Sequence, residues 1–196
     1  MAASTDNNVL RFYRAGPSYH QVGDDLVIQD DTMTALAISP DGRSIAAGSS
    51  SGIVRQYDVA THERVGPDLR GHTFEVGGVA YSPDGSLLAS TTVGLSTTRL
   101  WEAATGAPIG NELVAGRTPY TQRTFGIDHR YPSRPAFAPD GRTLFTPVVD
   151  GSMVAWDLRP RSWMRAACEI VGRDLTRDEW RQYLGDTAYR KTCSSA

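Results

Sequence analysis

The chain has 196 residues, room for one domain or two small ones, and its hydrophobic fraction of 40% suits a packed globular protein. Twenty Lys and Arg against 22 Asp and Glu leave a net charge of −2, which argues against nucleic acid as a partner. No apolar run approaches the roughly 18 residues of a membrane span, the start MAASTDNNVL lacks the pattern of a secretory signal, and two cysteines make no disulfide framework, so a cytoplasmic setting is expected.

Taken in chain order, residues 9–14 (VLRFYR) read as a strand, and 19–28 supply another. A strand over 34–39 then runs into Ser39-Pro40-Asp41-Gly42, where Pro presets φ and Gly accepts a positive φ. Strands over 44–48 and 53–57 follow, the second ending on Tyr57-Asp58, and a weaker fourth strand leads onward. The pattern then returns, with strands at 78–82, 87–91 and 98–101, the turn Ser82-Pro83-Asp84-Gly85, and a closing Trp101-Glu102. A third copy has Ala138-Pro139-Asp140-Gly141, strands over 143–149 and 153–156, and Trp156-Asp157. A further marker precedes each copy, at Gly23-Asp24-Asp25-Leu26, Gly66-Pro67-Asp68-Leu69 and Gly110-Asn111-Glu112-Leu113. The first two copies are offset by 43 or 44 residues; the third turn comes 56 after the second, so about a dozen residues are inserted between them.

Four strands in a period of about 43 residues, with an aromatic-acid pair closing the third, resemble the blades of WD-repeat β-propellers over roughly residues 8–158. Gly71-His72 matches that family's Gly-His element. The resemblance implies an all-β fold of about three to three and a half propeller blades, an incomplete ring, with a small C-terminal helical cap. It also implies that a His, a Ser or Thr, a tight-turn Asp and the Trp form a buried hydrogen-bonded set in each blade. His72, Ser90 and Trp101 match in the middle unit, and Asp150 and Trp156 in the last. The middle unit has Val93-Gly94-Leu95 where the Asp belongs, and Arg117 stands where the last unit would have its His. The strands number thirteen, about three blades and a fraction, and the 196 residues fall short of the roughly 300 of a seven-bladed ring. Three closures compete: the chain is part of a longer propeller; it forms a homodimer in which the 19–28 strand completes the partner's last blade; or another protein closes it.

After Asp157 the period becomes helical. Trp163, Ala167, Ile170 and Val171 share a stripe, Gly172 sits where a C-terminal cap belongs, and Thr176-Arg177-Asp178-Glu179 has the spacing of a capping box. Two short helices are expected between 162 and about 185, within a tail over 159–196 that is distinct from the blades at 1–158. The tail's run from Ala167-Cys168 to Thr192-Cys193 resembles the C-terminal tail of bacterial multidomain WD-repeat proteins, where the propeller is joined to a STAND-type ATPase or a Ser/Thr kinase. That resemblance implies that Ala196 is a natural end, with any missing part upstream of Met1. Cys168 and Cys193 are read as two packed thiols, with a disulfide as the alternative that a reducing compartment opposes.

No catalytic, metal or cofactor site emerges. A phosphate-binding loop, H-E-x-x-H and a zinc-spaced Cys/His cluster are all missing from the sequence. Gly48-Ser49-Ser50-Ser51-Gly52 fits G-x-S-x-G, but it bridges two strands, not the strand-to-helix elbow that exposes a nucleophile. The expected contact surface is the insertion over 119–135, because such insertions emerge on one face and Arg with Tyr favours interfaces. It and its flanks supply Arg117, Tyr120, Arg123, Phe125, Arg130, Tyr131 and Arg134, and Phe74 is placed on the same face. The alternative for the insertion is a solvated loop. The expected function is a non-catalytic interaction module for a protein or peptide partner; the alternative is a regulatory arm of an ATPase or kinase.

Overall fold

The structure, a computed structural model, describes residues 2–6, 8–14, 16–18, 20–28, 31–94, 96–115, 134–148, 151–184 and 188–193. The chain divides into two compact units, Met1–Trp156 and Asp157–Ala196. Among the described residues the first unit holds four antiparallel sheets in chain order. The first contains β1 (Ala2–Asp6), β2 (Val9–Arg14) and two short strands, β3 (His20–Gln21) and β4 (Leu26–Val27), both paired with β2. The second is β5 (Met33–Ile38), β6 (Ser44–Ser49), β7 (Val54–Asp58) and β8 (Arg64–Leu69), in that order. The third is β9 (Val76–Tyr81), β10 (Leu87–Thr92), β11 (Thr97–Glu102) and β12 (Leu113–Val114), and the fourth is β13 (Ala136–Phe137), β14 (Thr143–Pro147) and β15 (Met153–Asp157). The first strands of successive sheets are neighbours, β1 beside β5, β5 beside β9 and β9 beside β13, as in a row of propeller blades.

Strand β6 shows why the sheets stack. Its residues alternate between two cores: Ile45 and Ala47, with Met33 of their own sheet, join Leu10 and Phe12 of the preceding sheet, while Ala46 joins Val76, Val79, Leu88 and Trp101 of the next. A strand that buries both faces must be apolar or small throughout, and β6 reads Ser-Ile-Ala-Ala-Gly-Ser. Gly48 is needed because a Cβ there would lie 2.4 Å from Val76 Cγ1. Beside it Thr34 Oγ1 donates to the Val76 carbonyl at 2.6 Å, tying the two sheets together.

The beginning of the chain differs from expectation in two ways. Ala2–Asp6 forms a hairpin with β2, Ala2 opposite Tyr13 and Asp6 opposite Val9, turning through Asn8 at φ 74°. Its residues have little strand propensity and pair because β2 offers an open edge. The expected 19–28 strand is broken into β3 and β4 by a turn at Gly23, φ 74°. Both pieces bind β2 of their own sheet, so a dimer built on this strand would first have to strip it away.

The second unit holds α1 (Pro160–Val171) and α2 (Arg177–Leu184). Pro160 opens α1, and Gly172 closes it in the left-handed conformation, its N–H donating to the Cys168 carbonyl at 2.8 Å. The capping box forms as spaced: Glu179 Oε2 accepts from the Thr176 N–H at 2.8 Å, and Thr176 Oγ1 accepts from the Glu179 N–H at 3.2 Å. Trp180 is buried edge-on against Tyr189, ring centroids 5.4 Å apart. Three residues of the α1 stripe, Trp163, Ala167 and Ile170, are exposed, Ile170 to 85%. The reading of two free thiols is overturned: Cys168 and Cys193 form a disulfide, Cα atoms 5.4 Å apart. Hydrogen bonds from Cys193 N–H to Asp174 and from Leu175 N–H to Thr192 fold the end of the chain back onto α1's exit and bring the sulfurs together.

Candidate interaction surface

The antiparallel order of each sheet sends its connections to two ends. At one end lie the Pro-Asp-Gly turns. Each places an Asp carboxylate on the N–H two residues later, as Asp41 does with Arg43 at 3.0 Å, and in the first two turns also on the Ser hydroxyl two residues earlier, Ser39 to Asp41 at 2.6 Å. These bonds hold the Asp41 and Asp84 carboxyls below their ordinary pKa. A cleft of about 480 Å³ between the second and third sheets opens here, lined in part by Asp41, Gln56, Tyr81 and Asp84. Buried Gln56 closes it by accepting from Tyr81 OH at 2.8 Å and donating to the Ala103 carbonyl at 2.9 Å. The cleft's buried polar groups are therefore already used to join the sheets.

The other end carries the loops between sheets and the β6–β7 turn. Here His72, Ser90 and Trp101 meet: His72 Nε2 lies 2.6 Å from Ser90 Oγ, and Trp101 Nε1–H donates to the same oxygen at 2.8 Å. All three are buried. Burial, then the nearby Arg99 charge, lowers the His72 pKa to about 4, so the ring is neutral at pH 7. Its Nδ1 and the Arg99 Nε are buried with no hydrogen-bond partner among the described residues. Trp156 repeats the arrangement, donating to Thr146 Oγ1 at 2.8 Å. Sequence reading passed over Thr146, although it stands seven residues after Pro139 as Ser90 stands seven after Pro83. Asp150 lies outside the described residues.

The second sheet has Ala47 and Tyr57 where the third has Ser90 and Trp101, and it uses charge instead. Asp31, in the entry loop, accepts from Ser51 Oγ at 2.6 Å and from Arg55 Nη1 at 2.9 Å. Arg55 Nε reaches Asp68 at 3.1 Å, and Asp68 also pairs with Arg64 and Arg70, each at 2.6 Å. Burial raises the Asp31 carboxyl, but the Ser51 and Ser49 hydroxyls and Arg55 outweigh it and bring the pKa down to about 2. Asp68 falls in a repeat marker, but Asp31 and Arg55 fall in none of those read from the sequence. The G-x-S-x-G match falls on the β6–β7 turn, where Ser50 Oγ donates to Asp31 at 3.3 Å.

Of the residues expected to meet a partner, Phe74 lies in the loop before β9 and is 47% exposed. Arg134 is exposed just ahead of β13. Arg117, Tyr120, Arg123, Phe125, Arg130 and Tyr131 lie outside the described residues. The loop bearing Phe74 is braced from the second sheet: a Cβ on Gly52 would lie 2.7 Å from the His72 carbonyl oxygen and 2.8 Å from that of Phe74. The surface at this end is thus seated on tightly fitted backbone.

Comparison with known proteins agrees with this architecture. The model of the WD domain, G-beta repeat, matches residues 26–58 and 64–102. Over 73 residues, 36% of its length, the chain is 44% identical to an uncharacterized WD repeat-containing protein of Synechocystis, covering 20% of that protein. Over 138 residues, 69% of its length, it is 29% identical to the Protein LST8 homolog of Drosophila melanogaster, covering 41% of it. The chain therefore spans between a fifth and about two fifths of these relatives. Two WD repeats are matched by sequence and four blade-like sheets are stacked in order, so the chain carries WD repeats and is similar to WD-repeat proteins.

Proposed function

We propose that this chain is a non-catalytic interaction module that holds a protein or peptide partner on the loop end of its sheets. The observation that carries the reading is Phe74, a large apolar side chain kept 47% exposed on a loop braced by Gly52. An exposed aromatic on a rigid support is the kind of group in which binding energy concentrates, since little order has to be imposed on association. Exposed Arg134 and the Arg- and Tyr-rich composition of the insertion add to this reading. WD-repeat relatives support an interaction role; fold likeness alone does not choose the partner. The alternative, a regulatory arm of a larger ATPase or kinase, has the resemblance of the tail behind it.

The module is placed in the cytoplasm, where the Cys168–Cys193 bond would be open to reduction. No helix among the described residues is long and apolar enough to cross a membrane.

Capture experiments test the reading. The whole chain is compared with a Phe74→Ala variant and with one carrying Ala at Arg123, Arg130, Tyr131 and Arg134. Partners that bind the parent and are lost from a folded variant support it. Equal recovery by all three proteins would overturn it.

A further inference from the structure

Comparison of the second and third sheets shows a place where one has a carboxylate and the other has none. Arg55 and Arg99 are equivalent, each two residues before the closing aromatic, Tyr57 or Trp101. Arg55 is held by Asp31 and Asp68. Asp31 stands two residues before Met33, the first residue of its sheet; in the third sheet Phe74 holds that position, two residues before Val76. Glu112 occupies the place of Asp68, yet among the described residues no ion pair joins Arg99 to an acid.

What surrounds Arg99 is a set of donors. Its guanidinium lies against Gly71, where a Cβ would be 2.9 Å from both Cζ and Nε, and its Nε–H is buried with no acceptor among the described residues. His72 is next along and 7% exposed. Ser90 Oγ already accepts from Trp101, and its own proton has His72 Nε2 as its only near acceptor among the described residues. The neutral ring therefore carries its hydrogen on Nδ1, the nitrogen with no partner. A buried guanidinium N–H and an imidazole N–H, both without acceptors beside a full positive charge, favour an anionic oxygen.

We propose that this corner of the third sheet receives an aspartate or glutamate side chain of a protein partner, in the place that Asp31 fills within the second sheet. The carboxylate accepts from Arg99 and His72, and exposed Phe74 packs on an apolar residue beside it. The proposal rests on the interaction role inferred above and names the chemistry that the loop end selects.

The test uses the whole chain with nitrogen-15 in its histidine and arginine side chains. It is titrated with sodium acetate, inorganic phosphate and a blocked Asp-Leu dipeptide. Saturable shifts at Arg99 Nε and His72 Nδ1 are expected with acetate, and with the dipeptide at about tenfold lower concentration, because Phe74 adds an apolar contact. Phe74→Asp should fill the site from within, abolishing both responses and raising the melting temperature. Arg99→Met should abolish them without raising it, and it carries the comparison if the first variant does not fold. An unmoved Arg99 Nε throughout, or a Phe74→Asp protein that responds like the parent, would overturn the proposal. Phosphate acting at lower concentration than acetate would overturn the choice of a carboxylate. Acetate needs no partner, so silence here removes this site alone, while failed capture leaves the titration standing.

Discussion

Trp101 donates its indole N–H to Ser90 Oγ at 2.8 Å, and Trp156 donates to Thr146 Oγ1 at the same distance one sheet further on. The hydroxyl is therefore the recurring partner of the Trp. In the third sheet the same oxygen also meets His72, so its removal leaves two buried groups unmatched. Ser90→Ala should cost about 2–6 kcal/mol, from roughly 1–3 kcal/mol for each of the two orphaned buried groups. Thr146→Val should cost less, because Trp156 is only half-buried and a single bond is lost. Urea denaturation of both variants checks the order, and equal costs would show that His72 contributes nothing through Ser90.

His72 makes stability depend on pH in a defined window. Its pKa is about 4 in the folded chain against an ordinary 6.5, so between these values the unfolded chain binds more protons. Stability should be full above pH 6.5 and fall as the pH drops toward 4, by up to about 3 kcal/mol. His72→Gln should flatten this limb. Asp31, with a pKa of about 2 against 3.8, contributes stability above 3.8 that is lost as the pH falls toward 2. Chemical denaturation across about pH 2–7.5 separates the two limbs.

Arg55 lies between two carboxylates, one of them nearly buried: the Asp31 side chain is 5% exposed. Arg55→Met would leave that charge without its cation, and breaking such a pair costs about 3–5 kcal/mol. The Asp31 carboxyl should also titrate at higher pH in the variant. Carbon-13 shifts of the aspartate side chains would show the move, and an unchanged titration would mean that the serines alone hold Asp31 ionised.

Gly48 should not tolerate a methyl group. A Cβ would meet Val76 Cγ1 at 2.4 Å and Val76 Cβ at 2.8 Å, so the second and third sheets would have to part. Gly48→Ala should destabilise by about 1–3 kcal/mol. Val76→Ala in the same chain should recover part of that loss, because it removes the atom in the way. A double-mutant cycle reads the coupling directly.

The tail disulfide closes a loop of 25 residues. On loop-closure entropy this stabilises the second unit by about 3.5 kcal/mol. Cys168→Ser, or reduction, should increase proteolysis of residues near Cys193 while hydrogen exchange in β5–β7 stays unchanged. Loss of protection in both units together would show that they unfold as one.

Period and punctuation were enough for the sequence to determine the stacked sheets and the capped helices. Pro-Asp-Gly forces a turn wherever it stands, alternating apolar residues need two covered faces, and Thr176 with Glu179 satisfies helix donors from only three residues away. Their physical causes are local, and so they can be read from spacing. The Asp31–Arg55–Asp68 network, the orphaned Arg99 and His72 and the Cys168–Cys193 bond join residues brought close only by packing. Asp31 and Arg55 are 24 residues apart, and nothing in either neighbourhood announces the other. Ala2–Asp6 shows the same limit in a strand, since its polar residues pair because an open edge awaits them. Tertiary structure alone decided which charges found partners, and among the described residues it left Arg99 Nε and His72 Nδ1 without one.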